Sequence, residues 1–229
     1  MKKNNIYAIL VLVLAIVFTG CGGGSAADAS GQVTPATEAT STPVSLGRIE
    51  GGIYTNEYVG FGCELDSEWE FYTAEELQEL PENVAELLDG SELAEDSNML
   101  AQITDMMAEN VTDLVSINVL YRKLSMQERL AYLTMDEEFV IDEVLKQSDM
   151  LIDAYAQAGI AVDHLEKVTI TFLGEERTAI WMSAAIEDIP YYTLQLYDYN
   201  LGNYAVTTTL ASYVEDNTHN LLGLFFAVE

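Results

Sequence analysis

Basic side chains are scarce in this sequence. Nine lysines and arginines stand against 38 aspartates and glutamates in 229 residues, a formal charge of −29. A surface of that sign repels phosphate backbones, which excludes nucleic acid as a partner. It also pushes the body of the protein off anionic headgroups over about 10 Å at ordinary ionic strength. Cysteine is nearly absent: Cys21 and Cys63 are the only two, too few for a disulfide framework or a cysteine-based zinc centre. The two histidines, His164 and His219, belong to no His-Glu-x-x-His helix. There is no Gly-x-Ser-x-Gly nucleophile elbow, and Gly60-Phe61-Gly62 lacks the further glycine and the helix of a phosphate loop. No catalytic residue and no cofactor is expected, and the chain reads as a non-enzyme.

What is present speaks for a folded body. Hydrophobic residues make up 49% and aromatics 10%, with 13 tyrosines, whereas disordered chains are poor in both. The N-terminus has three parts in order. Lys2 and Lys3 start it, Ile6 to Phe18 is an uncharged apolar run, and Thr19-Gly20-Cys21 follows. The run falls short of the roughly 20 residues a membrane span needs, and its setting is that of a signal-peptide core. Phe18-Thr19-Gly20-Cys21 resembles the lipobox of bacterial lipoproteins, with Phe18 where an aliphatic residue is usual. The resemblance implies removal of residues 1–20 and a diacylglycerol thioether with further acylation at Cys21. The protein would then be held by lipid on the outer, extracytoplasmic face of the cell membrane, since two acyl chains suffice for stable anchoring. Loss of Lys2 and Lys3 leaves seven basic residues against 38 acids, a charge of −31.

Residues 21–50 are rich in Gly, Ser, Ala, Thr and Pro and nearly devoid of large apolar side chains. Such a segment cannot bury enough surface to order itself. It reads as a tether with a mean reach on the order of 30 Å. Residues 51–229 read as one domain. Ile53-Tyr54 and Val59 to Leu65 read as strands, and Leu65, Ser67, Trp69 and Phe71 alternate with Asp66, Glu68 and Glu70 as in a half-buried strand. Cys63 lies on the apolar side and reads as a buried core residue.

Helical spacing is expected from Thr73 to about Asn110. Thr73 with Glu76 forms a capping box, Pro81 divides the stretch, Gly90 stops it, and Met99, Ile103, Met106 and Met107 form a further helix. Asp113 to Lys123 is strand-like. A long helix is expected from a Thr134–Glu137 capping box to Gly159, with Val140, Val144, Leu151 and Tyr155 as its stripe. Four strands follow, Lys167 to Leu173, Thr178 to Ile186, Tyr191 to Tyr199 and Asn203 to Leu210, joined by turns short enough for antiparallel neighbours. A terminal helix is expected from about Tyr213, capped by Ser212 with Glu215. The fold class is α+β, an antiparallel sheet of six to seven strands with helices packed on it.

The stretch from Gly52 to Thr73, GIYTNEYVGFGCELDSEWEFYT, resembles the opening of a group of small bacterial lipoproteins of unknown function. In them Tyr-x-Asn-x-x-x-Gly leads through a strand to a tryptophan and an acidic helix. No proline precedes Trp69 here, although the group often has one. With the late meander and a final helix, the order of elements is similar to the PsbP/Mog1-like α/β sandwich. The resemblance implies that fold and a binding-type role, and it brings no catalytic residue.

Two residue sets are candidates for a site. Tyr191, Gln195, Tyr197 and Tyr199 share a strand face, with Trp181 on a neighbouring strand. Tyr and Trp pair an apolar body with a polar tip, as recognition surfaces do. Asp66, Glu68 and Glu70 offer three carboxylates on one strand face, a hard-oxygen set suited to Ca²⁺, although a solvated strand face explains them as well. The reading is a lipid-anchored extracytoplasmic module, non-enzymatic, binding a protein or small ligand or serving an envelope complex. A divalent-cation-binding surface protein and a carboxylate-based hydrolase are the alternatives.

Overall fold

The computed structural model describes residues 46–78, 102–157 and 159–228. The expected leader, Cys21, most of the tether and the helices expected between 79 and 101 lie outside the described residues. Eleven strands occur among those described: β1 (Arg48–Glu50), β2 (Ile53–Asn56), β3 (Phe61–Glu64), β4 (Glu70–Phe71), β5 (Gln102–Asn110), β6 (Val115–Lys123), β7 (Ile160–Phe172), β8 (Glu175–Ile186), β9 (Ile189–Leu201), β10 (Tyr204–Tyr213) and β11 (Phe225–Ala227). Helices α1 (Met126–Tyr132), α2 (Glu137–Leu145) and α3 (Ser148–Gln157) join β6 to β7, and α4 (Thr218–Leu221) follows β10. Residues 74–78 are also helical.

Seven strands form one antiparallel sheet in the order β4-β5-β6-β10-β9-β8-β7. A smaller antiparallel sheet runs β1-β2-β3-β11. The large sheet is the middle of three layers. One face packs Ile117, Val119, Leu194, Val206 and Leu210 against Tyr54, Phe61 and Cys63 of the small sheet. The other packs Ile180, Met182, Ala184 and Tyr197 against Val140, Ile141, Val144, Leu151 and Tyr155 of α2 and α3. A sheet covered on both sides explains why β6 reads as an unbroken buried run from Val115 to Arg122. The architecture is the expected α+β sandwich. No described helix is long and apolar enough to cross a membrane.

Several local expectations are corrected. Met106 and Met107 stand on strand β5, not on a helix. The pairing of β5 with β6 slips between Thr104 and Met106, so Asp105 is an extra residue in a β-bulge. The bulge shifts the alternation by one, and Ile103, Met106 and Met107 acquire a spacing that imitates a helix. The stretch 65–69 is a turn rather than a strand: the Asp66 carboxylate accepts the Glu68 N–H at 2.9 Å, and the Asp66 carbonyl accepts the Trp69 N–H. The Thr73–Glu76 capping box forms as expected.

The long helix is two short ones, α2 and α3, and a further helix, α1, precedes them. α1 begins on a Ser125–Glu128 capping box, which is absent from the expectations above. Thr134 does not cap; Asp136 does, accepting the Phe139 N–H at 2.8 Å. The buried stripe of Val140, Val144, Leu151 and Tyr155 holds. At the C-terminus β10 runs on to Tyr213, the helix is the single turn α4, and the chain ends as β11 against β3. At the other end β1 orders residues 48–50, placed above in the tether.

The four long strands turn on two-residue hairpins. Leu173 and Gly174 have φ of +54° and +85°, and Glu187 and Asp188 have +51° and +66°. Positive φ at both central positions marks turns whose twist suits antiparallel strands. The two edges of the large sheet differ. β4 is two residues long. β7 has thirteen, but its pairing slips between Val162 and His164, leaving Asp163 bulged, with His164 and Glu166 exposed beside it.

Candidate functional site

The central strands β6, β10 and β9 carry polar rather than aliphatic side chains on the helix side. Asn118 stands opposite Thr209, and Thr209 opposite Gln195. Ser116 and Thr207 lie one step to either side of this row. Alternation along β9 brings Tyr191, Thr193, Gln195, Tyr197 and Tyr199 to the same face, as expected. The face is interior, however: Tyr191 is 0%, Gln195 2%, Tyr197 3% and Asn118 1% exposed. The tyrosines are therefore a lining between sheet and helices, not an open groove.

Part of the row is internally satisfied. The Tyr197 hydroxyl donates to Gln195 Oε1 at 2.6 Å, and Gln195 Nε2 points at Thr209 Oγ1 at 3.5 Å. The rest is not. Both amide atoms of Asn118, Ser116 Oγ, Thr207 Oγ1 and the hydroxyls of Tyr191 and Tyr213 are buried without a hydrogen-bond partner. The Tyr191 and Tyr213 rings sit 4.8 Å apart. Burial pushes both hydroxyls above their ordinary range. The other's phenol adds to this at Tyr191, and Glu109 adds to it at Tyr213. Burial, with Glu137 and Asp136 nearby, takes Tyr199 to about 12. Each unpartnered buried polar group costs about 1–3 kcal/mol, so several on one face of one sheet are not incidental to packing. They form a neutral donor and acceptor set, suited to ordered water or to an uncharged molecule carrying hydroxyl or amide groups.

Trp181 is not part of this face. On β8 it pairs with Leu194 of β9 and points to the opposite side, where it stacks on Tyr192 and its Nε1 donates to Asp216 at 2.9 Å. Asp66 and Glu68 lie in the turn before β4, Glu70 lies on β4, and all three are exposed. No group of three or more His, Cys, Asp or Glu side chains able to hold a metal ion occurs among the described residues. His164 and His219 are exposed and stand on β7 and α4. Cys63 is fully buried, and burial pushes its thiol to about 12.

Two polar clusters were not foreseen. Bulged Asp105 accepts Gly47 N–H at 2.8 Å, Tyr54 Oη–H at 2.6 Å and Asn56 Nδ2–H at 2.6 Å, while Asn56 Nδ2 also donates to Tyr121 Oη at 2.7 Å. Gly47 lies so close that a Cβ there would come 2.2 Å from the Tyr54 ring. The carboxylate thus ties the start of the domain to both sheets. In the second cluster Arg177 bridges Glu137 of α2 at 2.7 Å and Asp198 of β9 at 2.9 Å. This brings two carboxylates together, but on a guanidinium that occupies both. Only the bulge in β5 could have signalled the first cluster, and a bulge leaves no mark in composition.

No family model matches the chain, and no curated protein sequence matches it. Among solved structures, it is similar to the solution structure of cyanobacterial PsbP (CyanoP) from Synechocystis sp. PCC 6803. Identity is 11%, the match covers 84% of this chain and 98% of that chain, and the TM-score is 0.41.

Proposed function

We propose that this chain is a non-enzymatic extracytoplasmic module, held to the membrane by lipid on Cys21, that takes up a small uncharged polar molecule between its sheet and its helical layer. The observation that carries the binding role is the Asn118 amide, 1% exposed with neither atom partnered, in a row with other orphaned hydroxyls. A buried amide facing only protein would be better replaced by an aliphatic side chain. The carboxylates that the fold brings together, Glu137 and Asp198, are engaged by Arg177 and so hold the fold rather than supply acid–base chemistry. The sequence of the first 21 residues supports the anchor.

Two measurements test the reading. Mass spectrometry of the chain isolated from cell membranes should find Cys21 at the N-terminus with a diacylglyceryl thioether on its sulfur and an acylated amine; a free thiol there, or an attached leader, removes the anchor. Native mass spectrometry of the same material should find a small-molecule adduct that is lost in Asn118→Leu. A wild-type chain without an adduct, together with a more stable Asn118→Leu variant, would mean the row is an unfilled defect of packing.

A further inference from the structure

Helix α1 turns its apolar side outward. Met126, Leu130 and Leu133 recur at helical spacing, on one side, and are 69%, 61% and 76% exposed. A helix that belongs only to the core does the reverse.

The charge around α1 is also the reverse of the rest. Between Leu114 and Met135 the charged residues are Arg122, Lys123, Glu128 and Arg129, a local excess of positive charge in a chain of −29. Arg122 and Glu128 neutralise each other at 2.7 Å. Arg129 meets the neutral amide of Asn203. Lys123 is exposed and meets no carboxylate among the described residues. Two cationic charges therefore flank the apolar stripe. Of the acids that open the next helix, Glu137 is paired with Arg177 and Glu138 with Lys167, while exposed Asp136 caps the helix by accepting the Phe139 N–H.

Position supplies the third observation. β6 ends at Lys123, and β5 begins at Gln102 opposite Arg122, so α1 sits at that end of the large sheet. Asp105, which holds Gly47, is three residues along β5, about 10 Å from the same end. The tether therefore joins the domain on the side that carries α1.

We propose that α1 is a lipid-docking element: Met126, Leu130 and Leu133 enter the interface of an anionic membrane while Lys123 and Arg129 meet its headgroups. Apolar insertion and headgroup attraction are the two contributions that hold an interfacial helix. The acidic body is repelled, so docking through α1 sets which way the domain faces. The proposal rests on the anchored reading for its membrane, and it accounts for an apolar stripe that the anchor alone leaves unexplained.

The test uses the full chain, processed in cells and purified from membranes, carrying an environment-sensitive fluorophore at Leu130→Cys or, at the far end of the sheet, at Glu215→Cys. Buried Cys63 does not compete for the label. Each is reconstituted with vesicles of phosphatidylglycerol and phosphatidylcholine or of phosphatidylcholine alone. The label at 130 should shift to the blue and brighten on the anionic vesicles and respond less on the neutral ones. Its response should fall with Lys123→Gln, and the label at 215 should report water throughout. A label at 130 that reports water on anionic vesicles overturns the proposal, as does one that responds only when an envelope protein extract is added. Mass spectrometry of Cys21 on the same sample separates the two readings: an unlipidated chain removes the anchor, while the response at 130 to added vesicles still reports on docking.

Discussion

Asp105 accepts the backbone N–H of Gly47 at 2.8 Å across 58 residues of sequence. The same carboxylate takes the Tyr54 hydroxyl and the Asn56 amide, so a single buried charge is held by neutral donors from the small sheet and from the residue that leads into it. Asp105→Asn preserves shape but replaces a full acceptor with an amide that must turn a donor toward donors. We expect a loss of about 2–3 kcal/mol, read as a lower urea midpoint at unchanged slope. An unchanged midpoint would mean that the cluster adds nothing to the fold.

The capping residue of α1 gives a pH dependence. Burial raises the Glu128 carboxyl, but the Ser125 amide and hydroxyl and the Arg122 guanidinium outweigh it, and the group ends below its ordinary value. A carboxyl depressed in the folded state adds stability above its unfolded pKa of about 4.3, and that stability is lost as pH falls through the folded value. Urea titrations of the wild type and Glu128→Gln should therefore differ by about 1–3 kcal/mol at neutral pH and converge as pH falls below the ordinary carboxylate range. Parallel curves across that range would dissociate the pair from stability.

Leu173 holds a φ of +54° in the β7–β8 turn while 36% exposed. A left-handed conformation is unfavourable for leucine and tolerable for asparagine, and Asn-Gly is the preferred pair for such a turn. Leu173→Asn should raise stability by about 0.5–1 kcal/mol in the same urea experiment. A destabilised variant would show that the exposed leucine packs more than it strains.

Cys63 pairs through β3 with both Tyr54 and Phe225. With its thiol pushed up to about 12 by burial, it should resist iodoacetamide in the native protein at pH 8 and react fully in guanidinium. Alkylation followed by mass spectrometry decides this, and native-state modification would place the thiol at the surface.

The fold was legible where one physical signal governed one element. The late meander was read correctly because its short turns permit only antiparallel neighbours, and the stripe of Val140, Val144, Leu151 and Tyr155 because it faces one layer. Errors arose where two layers compete for one strand. The bulge at Asp105 put two consecutive residues on the same side and made β5 look helical. Ser212 and Glu215 resembled a helix start, yet strand pairing with β6 and β9 carried the backbone on to Tyr213.

The candidate site was half legible. Alternation placed Tyr191, Gln195, Tyr197 and Tyr199 together, but it gave no sign that they would be covered. Trp181 was expected beside them from the neighbouring strand, but its pairing with Leu194 turns it to the other face. Asn118 looked like any polar residue in a strand, because burial on both faces is a property of the assembled layers.

The contrast between the edges of the large sheet has a consequence for copies of the protein in crowded surroundings. An open strand of thirteen residues is a template on which another chain can zip by backbone hydrogen bonds. Here one edge is too short to seed such growth. The other is kinked at Asp163 and bordered by Glu166 and Lys167. Neighbouring molecules at high local density therefore meet a bent and charged margin, and the long meander can be built without becoming a nucleus for fibrils.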